Sequence, residues 1–302
     1  MANLKEIRGR IASVKNTRKI TSAMSRIAAA RLVKAQQSVM GARPYGERLD
    51  QVVSSLVVTL GSAEGGEAAH PLLAPRSGNG RVAIVHITAD RGLAGGFNAN
   101  LTRATLAMVR KEREAGNDVL LIAVGKKGRA YMTHNRQTIV RAHDAPTLAD
   151  LVAKAKEIAA EVMAMYTGGK EGGETELPQV DRVYFAYYYF KNVLTQQPRV
   201  DVLLPFTAGE AAAEGALAPV LEPGRDALLG HLLPIAVESR LQQAFFNSIA
   251  GEIAARRNAM DSASDNATEL INELTLFYNR ERQAAITKEL MEIIGGAEAL
   301  KG

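Results

Sequence analysis

With 302 residues, 47% of them apolar, the chain can bury a sizeable core, and its length points to about two structural units. Cysteine is absent, which excludes disulfides, thiol nucleophiles and Cys-ligated zinc, fits a reducing compartment, and leaves five histidines and the carboxylates as metal ligands. The net charge of +5 is uneven: eleven Lys or Arg against Glu6 and Glu47 give the first 48 residues +9, so this segment calls for an acidic partner.

No run of about 18 uncharged apolar residues occurs, and a membrane contact is expected to be peripheral. The opening MANLKEIRGR lacks the apolar core and cleavage site of a secretory signal.

The first segment has no proline before Pro44 and only Gly9 before Gly41. Leu4, Ile7, Ile11 and Val14 alternate at spacings of three and four, the mark of a heptad seam. The same register continues through Arg18, Thr21, Ser25, Ala28, Leu32, Ala35 and Val39, so the stripe turns polar in its middle and recovers. Gly41 and Pro44 interrupt it, and Leu49, Val52, Val53, Leu56 and Leu60 resume it. The reading is one long N-terminal helix within 1–60, of roughly 55 residues and about 80 Å at ~1.5 Å per residue. A Gly-, Ala- and Pro-rich linker follows over 61–80.

Residues 81–206 alternate in type. VAIVHIT (82–88), VLLIAV (119–124), VYFAYYYF (183–190) and VDVLLPF (200–206) read as strands, while 98–115 and 147–167 read as amphipathic helices. That alternation predicts an open, Rossmann-like α/β domain. Residues 168–179 read as a mobile loop, and 207–225 as a second linker. The C-terminal helix, 226–302, carries Phe246, Ile253, Met260, Ala267 and Leu274 seven apart, interleaved with Ile249, Arg256, Ala263, Leu270 and Phe277. Gly295 and Gly296 are expected to stop it. A long helix needs a partner for its stripe, and the other long helix is the N-terminal one. The fold expected is α/β with an antiparallel coiled coil of the two terminal helices, the α/β domain being inserted between them.

The turn DRGLAGGFN at 90–98 lies where many folds hold a phosphate. It lacks the Lys and hydroxyl of a P-loop, and Ala94 stands where a dinucleotide fingerprint needs glycine. Asp90, Gly92, Gly95 and Gly96 therefore read as a structural turn, with Asn98 or Asn100 as the helix cap. No H-E-x-x-H, G-x-S-x-G or calcium-loop spacing occurs. His143-Asp144 is a poor metal pair, and His86 reads as a satisfied buried histidine. The aromatic run 184–190 reads as a strand with one buried face rather than a base-stacking platform. A protein-facing basic surface is preferred to DNA for the N-terminal helix, which has no aromatic before Tyr45.

Three stretches together resemble one family: NLKEIRGRIASVKNTRKITSAM (3–24), TADRGLAGGFN (88–98) and AMDSASDNATELINELTLFYNRERQAAITKELMEIIGGAEAL (259–300) are similar to the signatures of the gamma subunits of F-type ATP synthases. The resemblance covers nearly the whole chain. It implies a central rotor shaft standing inside three alpha and three beta subunits. The α/β domain would lie below with the epsilon subunit and the c-subunit ring, peripheral to the cytoplasmic face of a bacterial membrane. It implies neither nucleic acid nor cofactor. It also implies contact with the beta subunits through Met24, Arg18, Lys19 and Arg26, and through Arg257, Gln283, Thr287 and Glu289. The small residues Ser22, Ala23, Ser25, Ala28, Ala29 and Ala30 would let such a shaft slide. Ala94 stands where some members have Cys, and Tyr188 and Tyr189 stand where the family usually shows Asn and Lys. The competing readings are a basic coiled-coil nucleic-acid-binding protein and a small nucleotide-binding enzyme.

Overall fold

In the computed structural model, residues 4–61, 70–76, 78, 80–168, 177–207 and 225–299 are described. Half of the linker at 61–80, and most of the linker at 207–225 and of the loop at 168–179, lies outside them. Helix α1 (Leu4–Gly61) opens the chain, and β1 (Arg81–Ile87), α2 (Phe97–Glu114), β2 (Asp118–Val124), α3 (Lys126–His134), β3 (Ile139–His143), α4 (Leu151–Thr167), β4 (Arg182–Phe190) and β5 (Gln196–Leu204) follow. Helix α5 (Arg225–Ala299) closes it. The chain divides into two compact units, Met1–Ala29 with Arg256–Gly302, and Ala30–Ala255, so each long helix contributes to both.

In the second unit the five strands lie in the order β3-β2-β1-β4-β5. The first four are parallel, and β5 returns antiparallel to β4. Successive side chains of a strand point to opposite faces. Accordingly Ala83, Val85 and Ile87 of β1 join Leu120, Ile122 and Val124 of β2 and Val183, Phe185 and Tyr187 of β4 in one core, covered by α4 and by the facing parts of α1 and α5. Val82 and Ile84 join Val119, Leu121, Tyr184, Ala186 and Tyr188 in the other, under α2 and Met132 of α3. The strands read from the sequence are all present. The reading missed β3 and α3: β3 is a half-buried edge strand broken by Arg141, and α3 buries only Gly128 and Met132.

Pro44 and Gly41 do not break α1. The heptad register continues through them to Gly46, a buried seam position beside the side chain of Gln243 of α5, whose Nε2 would lie 1.6 Å from an added Cβ. Further along, Asp50 pairs with Arg240 of α5 at 3.1 Å. Val52 departs from its expected place: it is exposed, while Val53 is fully buried. Gly295 and Gly296 do not stop α5, which runs on to Ala299.

Candidate functional site

The first unit is a pair of helices. Thr21 Oγ1 and Ser264 Oγ lie 2.7 Å apart, and Ser25 Oγ donates to Asp261 Oδ1 at 2.5 Å, so residue numbers rise on one helix as they fall on the other. The pairing is antiparallel, as expected. On α1 the seam residues Ile7, Thr21, Ser25 and Ala28 are buried. On α5 the expected stripe Met260, Ala267 and Leu274 does face inward, but its companion stripe lies one residue further on. Ile271 is 8% exposed whereas Leu270 is 42% exposed, and Tyr278 is half-buried whereas Phe277 is exposed. Ser25 and Ala28, read as sliding-surface residues, face the partner helix instead; of that set only Ala23 and Ala30 are exposed.

Around this polar stretch of the seam lie Met24, half-buried, and Arg18, Lys19 and Arg26, all exposed. Arg257 of α5 lies 3.8 Å from Asp261, the same carboxylate that accepts from Ser25. Gln283, Thr287 and Glu289 are exposed on α5. At about 1.5 Å per residue they begin roughly 40 Å along the helix from Arg257. The residues named for partner contact therefore form two groups, not one. Toward the end of α5 the apolar side chains Ile286, Leu290, Met291, Ile293 and Ile294 are also exposed.

In the second unit the glycine turn is closed by its own chain. Asp90 Oδ1 accepts from the backbone N–H of Lys126 at 2.8 Å and of Ala145 at 3.1 Å, tying β1 to the chain beyond β2 and β3. Thr88 Oγ1 accepts from Gly128 N–H at 2.9 Å, and Ala89 O accepts from Lys127 N–H at 3.1 Å. The N–H groups at the start of α3, which would draw an anion, are thus taken. Gly95 adopts φ +54° and Leu93 φ +65°. Neither asparagine caps α2: Gly96 is its N-cap with no side-chain cap bond, while Asn98 Oδ1 accepts from Ala89 N–H at 3.0 Å.

A doubly wound sheet binds ligands outside its carboxyl ends where the strand order reverses, here between β1 and β4. That crevice is filled. Phe97 stacks on Tyr188 with ring centroids 4.3 Å apart, and both side chains are buried. Pairing of β4 with β1 ends at Ala186, and α5 takes over: Ser248 Oγ accepts from Tyr188 N–H at 3.2 Å, and Asn247 Oδ1 from Phe190 N–H at 3.1 Å. Gly251 of α5 packs over the pair: a Cβ there would lie in ordinary contact, 3.4 Å from Tyr188 Cβ and 3.5 Å from Phe97 Cε2. This gives Tyr188 a local role, and Tyr189 lies under the Arg199 guanidinium at 4.0 Å. Ser248 and Asn247 escaped the sequence reading because short polar residues inside a helical stripe carry no signal of a strand to be capped.

The ionisable clusters of this unit are likewise engaged. Glu112, the one buried carboxylate among the described residues, accepts from Tyr184 Oη at 2.7 Å and Asn117 Nδ2 at 2.8 Å. His143 lies between Glu161 (2.8 Å) and Glu157 (3.3 Å), the only trio among the described residues that could hold a metal. Its two ring nitrogens face different carboxylates, Lys154 pairs with Glu157 at 2.7 Å, and Arg141 lies 4.0 Å from Glu161. The charges balance without an ion, and the knot joins β3 to α4. Asp144 turns instead to Lys126 at 3.5 Å.

A two-helix coiled coil made from the chain ends, with an α/β unit whose ligand crevice its own helix occupies, defines a coiled-coil protein with an inserted α/β unit. A family model described as ATP synthase matches residues 3–300. The ATP synthase gamma chain of Anaeromyxobacter sp. (strain Fw109-5) is 43% identical over 302 residues, covering 100% of each chain, and that of Geobacter sp. (strain M21) is 43% identical over 305 residues, again covering 100% of each. This chain belongs to the ATP synthase gamma chain family. Among solved structures, a chain of the Euglena gracilis mitochondrial ATP synthase assembly of OSCP, F1 and c-ring has the same fold at TM-score 0.63 and 19% identity, covering 98% of this chain and 94% of that one. A chain of the Tetrahymena thermophila central stalk and c-ring follows at 0.57 and 20%, covering 81% and 99%.

Proposed function

We propose that the chain is the central rotor shaft of an F-type ATP synthase: it couples proton flow through a membrane ring of c subunits to ATP synthesis or hydrolysis in a ring of three alpha and three beta subunits, and carries no catalytic group itself. The observation that carries this reading is the antiparallel helix pair of the first unit, bonded across its seam at Thr21–Ser264 and Ser25–Asp261, in a chain 43% identical to gamma chains along its full length. Its two helices differ in sequence, so every side of the pair is different. Turned inside a ring of three equivalent sites, it meets each with a different face and favours a different conformation there; differential contact of this kind is what shifts a conformational equilibrium. The filled crevice between β1 and β4 supports a chain that holds no nucleotide.

In this reading Met24, Arg18, Lys19 and Arg26 meet an acidic loop of the beta subunits, and Arg257, Gln283, Thr287 and Glu289 of α5 meet the catch loops of the catalytic subunits. The α/β unit holds the epsilon subunit and the c-ring. No helix among the described residues is long and apolar enough to cross a membrane, and the chain works at the cytoplasmic face of a bacterial membrane, touching it only through its partners.

Coexpression with the alpha and beta subunits, read by native mass, tests the assembly. One copy should join three of each in a complex whose ATPase activity depends on it, and a chain that stays apart contradicts the reading. Replacing Arg18, Lys19 and Arg26 together by Gln should weaken assembly about tenfold or more and flatten its salt dependence, because the lost attraction is between screened charges.

A further inference from the structure

The polar stretch of the seam is not needed for strength. Ile7 below it and Ala28 above it are buried apolar residues of the same stripe, and α5 offers Met260, Ala267 and Ile271 opposite. An apolar seam is non-directional: it tolerates axial play because one methyl group replaces another. Hydroxyl contacts are directional and short. Thr21 Oγ1 donates to Arg18 O at 3.1 Å within its own helix, so toward Ser264 it acts as acceptor, which fixes the sense of that 2.7 Å bond. One turn on, Ser25 Oγ donates to Asp261 Oδ1. Both Thr21 and Ser25 are buried, at 8% and 7% exposure, so a displaced register would leave their hydroxyls facing Ala267, Ile271 or Met260 instead of a partner.

We infer that Thr21, Ser25, Asp261 and Ser264 form a register lock: two bonds across the seam, one turn apart, that fix the axial and rotational phase of α1 against α5 while adding little to stability. A buried polar pair in an otherwise apolar coiled coil is known to specify register at a cost in stability. The lock is a property of the helix pair and stands whether or not the chain is a rotor. If it is one, the four residues are positioning residues, since slack between the helices would blur the face shown to each site.

The test uses the full chain, whose lack of native cysteine allows specific spin labels. Asn16→Cys and Arg282→Cys place labels at exposed positions on opposite helices. They are offset along the axis, so slippage changes their separation, up to about 10 Å for a whole heptad at about 1.5 Å per residue. The native seam should give one narrow distance. The triple variant Thr21→Val, Ser25→Ala, Ser264→Ala keeps helical content and thermal midpoint, because Asp261 is half exposed and retains Arg257. Its distance distribution should broaden by several ångström or split. Thr21→Ser, which keeps the hydroxyl, should stay narrow, and this arm decides the matter if the triple variant fails to fold: Thr21→Val alone must then broaden where Thr21→Ser does not. A distribution equally narrow in all variants, or already broad in the native seam, overturns the lock.

Discussion

His86 is fully buried, and its two ring nitrogens face two threonines of α2. Thr105 Oγ1 gives its proton to Leu101 O at 3.0 Å, so it accepts from Nδ1–H at 2.9 Å, and Nε2 accepts from Thr102 at 3.3 Å. The arrangement fits the neutral ring, and burial pushes the pKa from 6.5 down to about 3. The folded state therefore binds fewer protons here than the unfolded one between those values. The stability linked to this group is complete above pH 6.5 and is lost as pH falls, by roughly 1.4 kcal/mol per pH unit until about pH 3. His86→Gln, which keeps a donor and an acceptor but cannot titrate, should flatten the acid limb of a plot of urea midpoint against pH. An unchanged slope would show that His86 is not the group responsible. The sequence reading of a satisfied buried histidine is thus met in detail, though VAIVHIT alone could not name the two threonines that satisfy it.

At the scale of elements, small backbone differences carry large consequences. Gly125 links β2 to α3 at φ +96°, and a Cβ there would lie 2.3 Å from Thr88 O, a backbone atom that cannot move aside. Gly125→Ala should cost about 3 kcal/mol or more in denaturant unfolding. Gly9, inside α1 with nothing within 4 Å of a built Cβ, makes the opposite prediction. Gly9→Ala should stabilise by about 0.5–1 kcal/mol. The corrected seam of α5 is tested in the same way. Ile271→Ala should cost about 2 kcal/mol, while Leu270→Ala, at a position 42% exposed, should cost well under 1 kcal/mol. Equal costs would return the seam to the stripe read from the sequence. That stripe misled because hydrophobicity was its only guide: Leu270 and Phe277 are more apolar than Ser264 and Tyr278, yet Ser264 faces inward because Thr21 meets it there. The strands were the stronger signal, since both faces of β1, β2 and β4 are buried and their sequences are near-continuous apolar runs, broken in β1 only by His86. The glycines at 295 and 296 carry no stop on their own without the bonding that closes a helix end.

For the whole molecule, the paired chain ends and the inserted α/β domain were legible because long stripes need partners, and the three signature stretches carried the family. Contacts within the α/β crevice were not legible: they depend on α5, remote in sequence, reaching Phe97 and Tyr188 over Gly251. Because that crevice is full, titration calorimetry of the isolated chain with ATP or NAD should show no heat of binding, and micromolar affinity for either would revive the enzyme reading. A shaft of this kind has to rotate. Leu194, in the β4–β5 turn and 85% exposed, can be replaced by Cys in a chain that has no other and joined to an optical probe. With the alpha and beta subunits fixed to a surface and ATP supplied, the probe should turn in one direction with three pauses of about 120° spacing, one for each equivalent site. A probe that stays still while the same complexes hydrolyse ATP would contradict the shaft.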